Sequence, residues 1–160
     1  MFELGKFAVY PGHGVGVIED IKGMEVGKKV QNFYILKVLD TQMTIMVPTE
    51  SAHKAGMREV IDPKKIPQVY EILKEKEVPN NNHQPWNQRY RGYMERIKSG
   101  SIFEVAKVLR ELYSIRAEKG LSFGEKKLMD TAKRLLIKEL AISKEVEEGE
   151  IGKEIQGILS

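Results

Sequence analysis

The chain has 160 residues, enough for one ordinary domain or two small ones. A hydrophobic fraction of 41% excludes wholesale disorder, and the absence of cysteine excludes disulfide frameworks, thiolate-bound zinc and thiol nucleophiles. The net charge of +3 hides an uneven distribution: residues 84–140 carry thirteen Lys/Arg against seven Asp/Glu, residues 1–60 balance at seven each, and residues 141–160 return to acidic. A basic segment of this kind suits a polyanionic partner, although most lysine-rich helices are simply solvated. No apolar run approaches the ~18–20 residues of a membrane span. Met1-Phe2-Glu3-Leu4-Gly5-Lys6 lacks the regions of a signal peptide, so a cytoplasmic, non-membrane protein is expected.

The first sixty residues read as short strands. Phe7–Tyr10, Val15–Ile18, Phe33–Leu39 and Met43–Val47 are rich in β-branched and aromatic residues and bounded by Gly, Asp or Pro. Four or five such strands predict a small, bent barrel of SH3 or Tudor type. Asp62-Pro63 starts a helical pattern with Ile66, Val69, Tyr70, Ile72 and Leu73 as its apolar stripe. Lys74 to Gln84, with Pro79 and three asparagines, reads as a loop. A helix then runs from near Pro85 to Ser99-Gly100. Ser101 with Glu104, and Ser122 with Glu125, predict capping boxes opening two further helices, separated by Gly120. A weaker helix covers Val146–Leu159. The fold class is therefore α+β: a Tudor/SH3-like β-barrel over residues 1–60, followed by an all-α domain of about five helices over residues 61–160.

Gly12-His13-Gly14-Val15-Gly16 resembles a phosphate-binding loop, but a strand follows it where a helix N-terminus is needed, so a tight turn is expected. His13, His53 and His83 are scattered without metal-ligand spacing, and no nucleophile or acid–base set completes a site around His13. No enzyme, metal or cofactor is indicated. In Met43-Thr44-Ile45-Met46-Val47-Pro48, alternation places Met43, Ile45 and Val47 toward the core and Thr44 and Met46 outward, and Pro48 marks an edge strand. Met46 either docks another protein's strand or packs under the helical half.

The sharpest signal surrounds the single tryptophan, in Gln84-Pro85-Trp86-Asn87-Gln88-Arg89-Tyr90-Arg91. A lone tryptophan is ordinarily core. Here it sits at the first turn of a helix among amides and arginines, with Arg89 and Arg91 on neighbouring faces where guanidinium groups reach phosphates. An exposed indole beside such arginines suits a minor-groove wedge or a platform for an unstacked base. Lys126, Lys127, Lys133 and Arg134 recur about a heptad apart and predict a second, sequence-independent phosphate-contacting face.

These segments resemble the CarD/CdnL family of bacterial RNA polymerase-binding transcription factors. The likeness is carried by Val9-Tyr10-Pro11-Gly12-His13-Gly14-Val15-Gly16, Phe33 to Val38, Ile45-Met46-Val47-Pro48, Gly56 to Val60, Trp86 to Arg91 and Gly120 to Lys127. The resemblance implies a Tudor-like domain that binds the RNA polymerase β subunit through Ile45, Met46 and Pro48. It implies a helical domain that holds promoter DNA at the upstream edge of the bubble, with Trp86 as a wedge and Arg89 and Arg91 on the backbone. It implies a monomeric, non-enzymatic regulator without cofactor or small-molecule substrate, reaching the nucleoid through polymerase. Some members carry Arg at the positions of Met24, Met46 and Gln88, so a more apolar polymerase contact and one fewer phosphate contact are expected here. The alternative is a stand-alone RNA- or single-strand-binding module that stacks a base on Trp86. An enzyme centred on His13, or a methyl-lysine reader built from Tyr10, Phe33 and Tyr34, is a remoter reading.

Overall fold

The computed structural model describes residues 2–75 and 85–160, and the chain divides into two compact units, residues 1–60 and 61–160. The loop expected over 74–84 lies, beyond Glu75, outside the described residues, as do His83 and Gln84.

The first unit is an antiparallel meander of β1 (Phe7–Tyr10), β2 (Gly14–Val26), β3 (Lys29–Val38) and β4 (Thr44–Pro48), in the order β1-β2-β3-β4, curled into a Tudor-like half-barrel. The glycine segment is a tight turn. Gly12 and Gly14 take φ of 80° and 88°, a region closed to most side chains, and the His13 N–H donates to the Tyr10 carbonyl at 3.0 Å. Gly16 is required for a different reason: a Cβ there would lie 2.8 Å from Leu36 Cγ. Phe2, Ala8, Ile18, Tyr34, Leu36, Val47, Ala52 and Met57 form the core. Phe2 meets Tyr34 edge-on at 5.5 Å and donates its N–H to the Tyr34 hydroxyl at 3.3 Å, so Tyr34 belongs to the interior and not to an aromatic cage.

Two expectations change here. The strand beginning at Val15 does not end at Ile18: after an irregularity between Ile18 and Asp20 it continues to Val26 and pairs with β3 to the hairpin turn at Gly27. This arm is largely exposed on both faces, so it lacks the apolar alternation that reveals a half-buried strand. Met43, expected in the core, precedes β4 and is 49% exposed.

The second unit contains α1 (Ile66–Lys74), α2 (Trp86–Ile97), α3 (Ile102–Lys119), α4 (Phe123–Lys144) and α5 (Glu148–Leu159), with a 3₁₀ turn at Pro63–Lys65 before α1. Asp62 caps that turn, accepting from the Lys64 N–H at 3.0 Å. Helix α3 packs on α1, α2 and α4, and α5 packs on α1 and α4. Val69, Leu73, Leu109, Leu112, Leu136, Leu140, Ile151 and Ile155 are buried between them. Buried Glu139 of α4 accepts the Ile61 N–H at 2.9 Å and Ser143 donates to the Ile61 carbonyl, tying the start of this unit to its longest helix. The two capping boxes differ. Ser122 and Glu125 form the full reciprocal pair, whereas Ser101 caps α3 alone because the Glu104 carboxylate turns to Arg96 at 3.1 Å and Lys107 at 3.3 Å.

Candidate nucleic-acid interface

Pro85 stands immediately before α2 and Trp86 is its first helical residue, so the indole projects from an uncapped helix end. The ring is half-buried rather than freely exposed. Three neighbours hold it. The Arg89 guanidinium lies 5.1 Å from the ring centre, Tyr90 meets it edge-on at 5.8 Å, and the backbone at Gly124, in the first turn of α4, lies directly against it. A Cβ at Gly124 would sit 2.7 Å from Trp86 Cζ2. Glycine is therefore what lets α2 and α4 share the indole between them.

Arg89, expected to reach out to phosphates, is instead committed inward. Its Nη1 donates to Glu125 Oε2 at 3.2 Å, and the two side chains are only 12% and 5% exposed. The cause lies at the start of α4. The capping box fixes Glu125, whose Oε1 accepts the Ser122 N–H at 3.0 Å, in a buried position. A buried carboxylate requires a partner, and Arg89 supplies it while stacking on Trp86. Burial pushes the Glu125 carboxyl up, but the Ser122 hydrogen bonds and the Arg89 charge outweigh it and leave the group below its ordinary value. Farther along α2, Arg96 bridges Glu104 and Glu111 of α3, locking α2 in place. Burial raises Glu111 against the pull of Arg96.

Arg91 is exposed and forms no ion pair with the described residues, leaving its guanidinium available to an anion. On α4, Lys126, Lys127 and Arg134 are exposed and Lys133 is half-buried. At 100° per residue these four span about a third of the helix circumference. They lie opposite the stripe of Leu128, Ala132, Leu136 and Leu140 that faces the core. Arg134 also makes an interaction within the protein, and Asp130 interrupts the positive face. Lys138 is drawn to Glu148 of α5 at 3.0 Å.

In the other unit, Ile45 packs against the β core and Val47 is buried, whereas Met46 is 45% exposed and Pro48 half-buried. Met46 pairs in register with Ile35, and Pro48 with Phe33. The edge of β1 is covered by reciprocal hydrogen bonds between Val9 and Arg58, at 2.7 and 3.0 Å. Among the described residues no strand pairs with the outer edge of β4.

The residue pattern marks Glu125 only as a helix-capping residue and gives Gly124 and Phe123 no part in the Trp86 site. Phe123 carries a detectable signal, since it falls out of phase with the apolar stripe of its own helix. Gly124 and Glu125 act on Trp86 only through the tertiary packing of α2 on α4.

Comparison with known proteins agrees in both units. Residues 2–61 match the CarD-like/TRCF RID domain, and residues 68–156 match the CarD C-terminal domain. The chain is 36% identical over 151 residues to a Bacillus subtilis (strain 168) protein described as "Putative transcription factor YdeB", covering 94% of this chain and 97% of that one. With both domains matched in order and a relative aligned almost end to end, the chain belongs to the CarD family of transcription regulators.

Proposed function

We propose that this regulator tethers to the RNA polymerase β subunit through the β4 edge and stabilises the promoter open complex with its helical unit. Ile45, Met46 and Pro48 supply the polymerase contact: β4 offers unpaired backbone for strand addition, and Met46 adds a soft apolar side chain. Trp86 is the wedge at the upstream edge of the bubble. Arg91, Lys126, Lys127, Lys133 and Arg134 contact the phosphate backbone without reading sequence. Arg89 acts through Trp86 and Glu125 as a positioning residue.

The observation that carries this reading is the clamped indole. A wedge whose orientation is fixed before it meets DNA loses less freedom on binding, and Arg89, Tyr90 and Gly124 hold this one. Inserting it into closed duplex costs a few kcal/mol of unstacking, and less where the strands have already parted. The chain therefore binds the open complex more tightly than the closed one. A preference of about 1.4 kcal/mol shifts the equilibrium tenfold. The chain acts as a monomer, without catalysis, and reaches the nucleoid through polymerase.

Co-purification with RNA polymerase, followed by footprinting on a promoter, tests the proposal. Retention on the β subunit and protection at the upstream bubble edge are expected. Tight binding to single-stranded RNA without polymerase association would favour a stand-alone RNA-binding module instead.

A further inference from the structure

The most exposed aromatic side chain of the helical unit is not the tryptophan. Phe123, the first residue of α4, is 75% exposed. It adjoins, in sequence, the glycine that receives the Trp86 ring where α4 meets α2. It shares the solvent face of α4 with Lys126 and Lys127. The Lys127 ammonium lies 4.9 Å from the phenyl centre, which leaves the other side of the ring open. A phenylalanine kept in water beside cations, out of phase with the stripe that its helix buries, contributes nothing to the core of the free protein. A single exposed apolar residue needs no explanation by itself. This one adjoins the proposed wedge and lies within the positive face.

Resting on the function proposed above, we propose that Phe123 is a second nucleic-acid contact, stacking on an unpaired base of the strand that leaves the duplex beside Trp86. Aromatic rings flanked by lysines are how sequence-tolerant single-strand sites are built: the ring takes the base face and the ammonium groups take the adjoining phosphates. Lys126 and Lys127 would hold those phosphates. Lys126 also lines an open cleft of about 590 Å³ with Arg116, Leu121, Met129 and the acidic Asp130, so the surface beyond Phe123 is of mixed charge. The two aromatics then divide the work. Trp86, clamped and half-buried, meets the edge of the duplex, and Phe123, projecting, meets the strand after separation.

Equilibrium binding of the full-length chain at low salt to a blunt duplex, and to the same duplex ending in an unpaired fork, tests the assignment. Phe123→Ala and Phe123→Leu are expected to weaken fork binding about tenfold and leave duplex binding unchanged, with Phe123→Trp restoring the fork preference. Thermal unfolding of all three variants should match the parent, since the ring is exposed. Wild-type fork binding by Phe123→Ala, alongside a loss in Trp86→Ala, would overturn this proposal and leave the wedge standing. An equal loss on both DNAs would also overturn it, because Phe123 would then be a general backbone contact. If the parent shows no fork preference and Trp86→Ala binds both DNAs normally, the wedge fails and this proposal fails with it.

Discussion

Arg89 and Glu125 form an ion pair at 3.2 Å, almost wholly removed from water, and the same guanidinium stacks on Trp86 at 5.1 Å. The residue therefore supports the fold and the wedge together. Removing one partner of a buried pair leaves the other charge uncompensated, so Arg89→Ala should cost about 3 kcal/mol in urea denaturation. Arg91→Ala, on an exposed face, should leave stability unchanged and lower the salt dependence of DNA binding by about one phosphate contact. Equal stability for Arg89→Ala and the parent would refute the positioning role.

The pair also sets a pH dependence. The folded Glu125 carboxyl titrates below its ordinary value, so it stabilises the protein above the ordinary carboxylate range, about pH 4.3, and that contribution is lost as pH falls through the lower folded value. Between pH 7 and 3 the parent should lose stability and its tryptophan emission should change. Glu125→Gln should be less stable at pH 7 and lose less on acidification. Parallel pH profiles for the two proteins would show that Glu125 is not the group responsible.

Gly124→Ala isolates the packing of the indole. Alanine is the better helix residue by about 1 kcal/mol, yet its Cβ would fall 2.7 Å from Trp86 Cζ2. The ring must move. Because Trp86 is the only tryptophan, its emission reports that movement directly. The variant should remain folded, shift its emission and shorten open-complex lifetime. An unchanged spectrum would mean that the indole does not rest on α4.

Met46→Glu separates tethering from folding. The side chain is solvated in the free chain, so the variant should unfold at the parent's midpoint. Placed against an apolar partner surface, an unpaired carboxylate costs several kcal/mol, and retention on the polymerase β subunit should fall at least about tenfold. Unchanged retention in a pull-down would exclude the β4 edge as the contact.

Much of this architecture is legible in the residues because it rests on local rules. Ser122 with Glu125, the Asp62-Pro63 start and the Gly12–Gly14 turn each announce their geometry through short-range hydrogen bonding or positive φ. Alternation placed Ile45 and Val47 inward and Met46 outward, since β4 is buried on one face only. Met43 failed because the strand begins one residue after it. The hairpin arm beyond Ile18 escaped notice because backbone pairing, not burial, sustains it. The largest gap concerns Arg89. An arginine beside a tryptophan reads the same whether it points to phosphate or to a carboxylate thirty-six residues away, and only the packing of α2 on α4 decides.

The central claim is that Trp86 stabilises strand separation at a promoter. Open-complex lifetime after competitor challenge, measured with RNA polymerase holoenzyme and the full-length chain, tests it most directly. Trp86→Ala should bind polymerase normally and shorten the lifetime toward that of polymerase alone, a loss of about tenfold if the wedge contributes about 1.4 kcal/mol. Equal lifetimes for Trp86→Ala and the parent, with both proteins bound to polymerase, would contradict it.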